Sequence, residues 1–236
     1  TRYFEDDRAF RNGGITSKET FDNLSSKGYL TYVPADNVTI YTSISEGFRS
    51  GGFNGSSGGT TPTYEPESLL SYELGIKATL LDKRLNTEVA IFHSEYTDYQ
   101  GTSLDALSGT FTTLNFGDAE IKGIELNVQW EATQQLSLGL SGNVTDGEFS
   151  RVGTTAAVIE GDPLYNVPEH SYSLNIDYSF NWDDGIPGFA RLNYHREGKT
   201  SEVNRLSGYL QEVVHSKPVA FLNAHIVAEW ESLTLE

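Results

Sequence analysis

Glu169-His170-Ser171-Tyr172-Ser173-Leu174-Asn175-Ile176-Asp177-Tyr178-Ser179-Phe180-Asn181-Trp182 alternates without a break. Tyr172, Leu174, Ile176, Tyr178, Phe180 and Trp182 fall on one face of an extended chain, and Ser171, Ser173, Asn175, Asp177, Ser179 and Asn181 on the other. Successive side chains of a strand point to opposite faces, so a period of two reads as a sheet with one apolar and one polar side. A helix would need a mixture of three- and four-residue steps, and every three-residue step among these positions lands on a polar residue.

The same pattern recurs on both sides. In 114–131, Ile124, Leu126, Val128 and Trp130 oppose Glu125, Asn127, Gln129 and Glu131. In 67–80, Leu70, Tyr72, Leu74, Ile76 and Ala78 oppose Ser71, Glu73, Gly75 and Lys77, and in 219–230 Leu222, Ala224, Ile226 and Trp230 oppose Asn223, His225 and Glu229. Segment 85–99 is poorer, because Ala90 and Phe92 interrupt the polar side opposite Val89 and Ile91. These runs exceed the roughly 5–6 residues of a globular strand and satisfy the roughly 9–11 that a tilted membrane strand needs.

Tight and long connections alternate. Turn signals stand at Pro34-Ala35-Asp36-Asn37, Leu81-Asp82-Lys83-Arg84, Ala132-Thr133-Gln134-Gln135 and Asp183-Asp184-Gly185-Ile186-Pro187. Between them lie polar, Gly- and Ser-containing segments at about 10–21, 50–66, 100–113, 148–168 and 201–217. Strand, long loop, strand, tight turn is the arrangement of an all-β, antiparallel up-and-down transmembrane β-barrel with short periplasmic turns and long outer loops. Trp130, Trp182 and Trp230 each close a strand beside an observed or expected tight turn, and Tyr32 and Tyr41 flank the first one. An amphipathic ring favours the headgroup layer, so these five residues are expected to form a membrane-interface girdle on one rim.

Composition agrees and excludes some classes. The 236 residues carry a formal net charge of -17, which repels phosphate and argues against nucleic acid. The acidity is dispersed, unlike a disordered acidic tail. A mean hydropathy of -0.39 resembles a soluble protein, but averaging over alternating strands hides an apolar face. No apolar run approaches the roughly 18 residues of a membrane helix. The absence of cysteine fits export as well as the cytosol. Thr1-Arg2-Tyr3-Phe4 opens inside a pattern, and a piece of a longer chain is expected.

Several stretches carry a family resemblance. Tyr41-Thr42-Ser43-Ile44-Ser45-Glu46-Gly47-Phe48-Arg49-Ser50-Gly51-Gly52-Phe53-Asn54, followed by Tyr64-Glu65-Pro66-Glu67 and Ser71-Tyr72-Glu73-Leu74-Gly75-Ile76-Lys77, resembles segments of TonB-dependent receptor barrels. Ala90 to Gln100, Asn115 to Leu126 and Asn166-Val167-Pro168-Glu169-His170-Ser171 are similar to later strands of the same family, in the same order. The resemblance implies a 22-stranded barrel filled by an N-terminal plug. It implies uptake of scarce bulky ligands such as ferric siderophores across the bacterial outer membrane, powered by the TonB complex. Residues 1–236 are then expected to be the C-terminal part of that barrel, roughly ten strands, with plug, TonB box and closing strands outside them. The implied partners are outer-membrane lipid, the TonB complex acting through the plug, and a ferric chelate or other small ligand.

Ligand contacts are expected from the outer loops, where aromatic and Arg side chains suit chelates: Arg49, Phe53, Tyr64, Tyr99, Tyr209 and His215. No metal centre, cofactor or catalytic set is expected. His93, His170, His195, His215 and His225 make no ligand-spaced pair, and His195 and His225 fall on the polar face. Gly51 to Gly59 lacks the Lys-Ser/Thr of a phosphate loop. Three other functions compete: a passive porin, a soluble β-propeller, and an outer-membrane enzyme. A propeller needs four short strands per repeat where this chain supplies two long ones, and no nucleophile–base motif locates an enzyme site.

Overall fold

The computed structural model describes residues 1–12, 15–55, 62–105, 110–153, 158–182, 185–204, 212–230 and 233–235. β1 (Arg2–Asn12) and β2 (Ile15–Ser25) form a hairpin, and β2 passes through Ser26 into β3 (Lys27–Ala35). A two-residue turn leads to β4 (Val38–Arg49); β5 (Gly52–Phe53) and β6 (Thr63–Tyr64) pair beyond its end, before β7 (Glu67–Leu80) and β8 (Leu85–Thr97). β9 (Gln100–Asp105) pairs with β10 (Thr110–Asn115), and then follow β11 (Gly117–Glu131), β12 (Leu136–Val152), β13 (His170–Asn181) and β14 (Pro187–Glu197). β15 (Ser201–Asn204) pairs with β16 (Glu212–His215), and β17 (Val219–Trp230) pairs with β18 (Leu233–Leu235).

Ten of these strands make one antiparallel sheet in the order β3-β4-β7-β8-β11-β12-β13-β14-β17-β18. Every strand therefore lies beside its sequence neighbour in the sheet, the expected meander. Direction reverses at each step, so all tight turns share one rim and all long connections the other. The long connections are less irregular than expected. Segment 10–21 is the end of the β1–β2 hairpin, paired from Arg2↔Ser25 to Asn12↔Ile15. That hairpin mixes polar and apolar residues on both sides and lacks the alternation by which a strand is recognised. Short hairpins β5–β6, β9–β10 and β15–β16 likewise occupy segments 50–66, 100–113 and 201–217, and the start of 148–168 is the end of β12.

Register assembles the two faces. Ile40, Ile76, Val89 and Leu126 form one cross-strand row; Thr42, Leu74, Ile91, Ile124 and Val144 form the next; Leu138, Ile176, Leu192 and Ala224 continue the belt. This face is bare: Ile91 is 50% exposed, Ile124 54% and Leu222 65%. A soluble domain would cover such a belt with a second layer.

The opposite face is polar and bonded across strands. Lys77 Nζ lies 2.7 Å from Glu88 Oε1, and the Tyr41 hydroxyl donates to the same oxygen at 3.1 Å. Ser71 and Ser94 hydroxyls meet at 2.9 Å, and Ser173 Oγ lies 2.8 Å from His195 Nδ1. Lys77 pairs across to β8 and not with Glu73 of its own strand, because cross-strand neighbours stand about 5 Å apart and a four-residue step about 13 Å.

The weak alternation in β8 has a packing cause. Phe92 lies opposite Gly123, where an added Cβ would sit 2.8 Å from its ring and 2.5 Å from the Val144 carbonyl oxygen. Tyr41 lies opposite Gly75 in the same way, with its ring 2.4 Å from an added Cβ. Large side chains on the polar face are thus matched by glycine on the adjacent strand. The densest packing lies at the long-loop rim, above this polar face, where Phe116, Ala119, Phe149, Val158 and Leu164 are buried together.

Candidate ligand-binding face

The long-loop rim is built on two clusters. The first lies between the β1–β2 hairpin and the end of β4. Phe4 packs on Phe48 with ring centroids 6.0 Å apart, and Phe10 on Phe53 at 6.2 Å. Arg8 Nε bonds Asp6 Oδ2 at 2.8 Å, and its Nη1 reaches the Tyr64 hydroxyl at 3.4 Å. The Arg8 bond, with help from the Ser50 hydroxyl, holds the Asp6 carboxyl below the usual carboxylate range. Gly51 and Gly52 let this segment close on Phe21 and Tyr64, since a Cβ at Gly52 would come within 2.5 Å of the Tyr64 oxygen. A cleft of about 490 Å³ remains here, lined by Arg2, Phe4, Arg8, Glu46, Phe48 and Arg49 among others. Its mixture of guanidinium and aromatic groups suits an anionic ligand with flat rings.

The second cluster is the aromatic core beneath the β8–β11 and β12–β13 connections. Tyr99 meets Tyr96 and Phe149 edge-on at 5.6 and 5.5 Å, and Phe116 and Tyr165 complete the group. Burial raises the Tyr99 phenol above its ordinary range, with the Glu67 carboxylate adding to the shift and Arg49 opposing it.

Of the residues expected at the ligand, Arg49, Phe53 and Tyr64 come together around the hairpin. Tyr99 has much of its ring committed to the core. His215 stands apart on β16, its Nδ1 3.0 Å from Ser201 Oγ, in the connection between β14 and β17, and in the ten-stranded sheet β7, β8, β11, β12 and β13 lie between β14 and β4. Tyr209 lies outside the described residues. At the other rim, Tyr32, Trp130 and Trp182 stand on the apolar face, 64%, 39% and 59% exposed, and Trp182 and Trp230 each follow by two residues the row Phe180, Gly188, Ala228. Tyr41 departs from the girdle expectation: it is 5% exposed on the polar face, stacked on Tyr29 and bonded to Glu88. Tyr32 and Tyr41 differ in parity along a hairpin, so one ring points each way.

Sequence reading missed three amides that join the loops. Gln100 Nε2 donates to the carbonyls of Ser50 and Glu65, both at 3.0 Å, while its backbone N donates to Glu67 Oε2 at 2.6 Å. Asn115 Nδ2 donates to the Glu65 and Asp98 carbonyls and its Oδ1 accepts from Glu65 N. Asn54 bonds both backbone groups of Thr113. A buried amide in a loop has no periodicity to announce it. Among the described residues, no group of three or more His, Cys, Asp or Glu could hold a metal ion.

With this geometry in place, relatives are informative. The family profile described as "TonB dependent receptor-like, beta-barrel" matches residues 1–233. The metal-pseudopaline receptor of Pseudomonas aeruginosa is 30% identical over 210 residues, covering 85% of this chain and 28% of that protein. A probable TonB-dependent siderophore receptor of Acinetobacter baumannii is 26% identical over 178 residues, covering 69% of this chain and 23% of its own. The solved ferric yersiniabactin uptake receptor of Yersinia pestis superposes with a TM-score of 0.73 at 20% identity, over 90% of this chain and 31% of the other. A solved A. baumannii siderophore receptor gives 0.72 at 19%, over 98% and 33%. The chain therefore spans about a quarter to a third of the length of these relatives. A match across nearly all its residues places this bacterial outer-membrane chain in the TonB-dependent receptor family, as part of the β-barrel.

Proposed function

We propose that residues 1–236 are the C-terminal part of a 22-stranded transmembrane barrel whose whole protein takes up a ferric siderophore, or a similar bulky metal chelate, with energy from the TonB complex. The observation that carries this reading is the uncovered apolar belt on one face of a ten-stranded meander. Lipid is the solvent that such a belt requires, and a polar opposite face suits a filled lumen. Tyr32, Trp130, Trp182 and Trp230 form the inner-rim girdle. Arg49, Phe53 and Tyr64 touch the ligand, with Tyr209 and His215 from another part of the mouth. The names of the relatives, which include siderophore and metal-chelate receptors, support the same cargo class. These relatives are receptors, so the enzyme reading is set aside.

Growth of a strain lacking the complete gene, under iron limitation and with a panel of catecholate, hydroxamate and mixed ferric chelates, tests the assignment. Growth on at least one chelate should depend on the gene and on TonB. Unchanged growth on every chelate would contradict the cargo, and uptake independent of TonB would favour the passive channel. For a chelate that is bound, Arg49→Ala and Tyr64→Ala should each weaken affinity about tenfold or more, the loss of roughly 1.4 kcal/mol or more.

A further inference from the structure

The loop-side rim is held together in two unlike ways. Between the β4–β7 and β8–β11 connections the bonds run from side-chain amides to backbone. Gln100, 6% exposed, spans the Ser50 and Glu65 carbonyls while its own N–H is held by Glu67. Asn115, opposite Gln100 in the β9–β10 register, holds Glu65 from the other side. Asn54 pairs with Thr113 as a neighbouring strand would. From there Phe116 carries the contact into the core with Phe149 of β12 and with Val158 and Leu164 of the β12–β13 connection. Leu164 N and Phe149 N bond Gly147 O and Asp162 O, folding that connection back along β12. The β1–β2 hairpin is different. Above its base at Ser26, it touches β4, β5 and β6 through rings and through Arg8 and Asp6 side chains.

We propose that Gln100 is a positioning residue that makes the described residues of the β4–β7, β8–β11 and β12–β13 connections one rigid shelf in the free protein, against which the β1–β2 hairpin moves independently. The shelf fixes Arg49 and Tyr64 relative to the barrel, so capture needs no ordering of these three connections. Only that last consequence rests on the receptor reading. Rigidity of the shelf is a property of the free protein.

Hydrogen–deuterium exchange of the full-length receptor in detergent, without ligand, reads the proposal directly. Amides of Asn54, Glu65, Tyr99, Thr113 and Phe116 should exchange as slowly as those of β13, and amides of the β1–β2 hairpin about 100-fold faster. Gln100→Leu removes the amide that bonds the Ser50 carbonyl and one of the two amides on the Glu65 carbonyl, and it should speed the whole shelf together by about 10- to 100-fold, leaving β13 and β14 unchanged. Asn54→Ala, a milder change, should loosen the same set of amides. Gln100→Glu puts a carboxylate among carbonyl oxygens beside Glu67, so its shelf should be looser at pH 8 than at pH 5 once intrinsic exchange is corrected, whereas Gln100→Leu should show no such dependence. A purely volumetric role for Gln100 predicts equal behaviour of the two variants. Three results would overturn the proposal: loosening confined to residues next to position 100, shelf amides that respond separately, or a hairpin as protected as the shelf. All are readable whether or not the protein transports iron.

Discussion

Two glycines on the polar face appear equivalent by position, and their surroundings separate them. The three atoms nearest to an added Cβ at Gly75 all belong to the Tyr41 phenol, the end of a movable side chain, whereas at Gly123 they include the Val144 carbonyl oxygen as well as Phe92. Gly75→Ala is expected to cost about 1–3 kcal/mol, and Tyr41→Ser in the same protein should recover most of it. Gly123→Ala should cost at least as much and should not be rescued by Phe92→Leu, because the backbone contact remains. Urea unfolding of the full-length barrel in detergent, followed by tryptophan fluorescence, measures both cycles. Equal rescue at the two sites would show that the backbone contact is absent. Residue-scale detail of this kind was only half legible beforehand. Gly123 could be placed on the face of Glu125 from alternation alone, but the partner that needs its space, Phe92, sits on another strand and is revealed only by register.

At the scale of elements, β13 was readable in full, and β1 and β2 were not. Residues 170–181 alternate because one side is apolar, and that contrast is the signal. The β1–β2 hairpin offers no contrast: Arg8, Asp6, Thr20 and Asp7 bond along and across it, so pairing replaces patterning. Its docking carries a pH dependence. The Asp6 carboxyl titrates below its unfolded value, chiefly through Arg8, so its contribution is complete above about pH 4 and is lost as pH falls through the lower folded value. Spin labels at Lys18→Cys and Ser68→Cys should give a distance distribution that is broader below about pH 4 than at pH 6, while Asp6→Asn should show the broader one throughout. No broadening before the barrel itself unfolds would contradict the role of Asp6. Facing of β13 is tested by charge: Leu174→Arg should cost about 2–4 kcal/mol and impair membrane assembly, and Asn175→Arg should assemble normally. The same defect in both variants would mean that β13 has no lipid face.

For the whole molecule, the order of ten strands followed from alternation and turn spacing, since long antiparallel strands joined by tight turns have one simple arrangement. The ligand mouth did not follow. Arg49, Phe53 and Tyr64 were identifiable as loop residues, but their convergence depends on a hairpin without a pattern and on buried amides without a period. The central claim is that the apolar face of the meander, even-numbered in β13, meets lipid and the opposite, polar face meets the lumen. Nitroxide labels placed one at a time along residues 171–181 of the complete receptor in a bilayer test it most directly. Oxygen accessibility should peak at 172, 174, 176, 178 and 180, and access of a water-soluble nickel chelate should not exceed its background at those positions. A scan with no period of two, or with the nickel chelate reaching the even positions, would contradict the account.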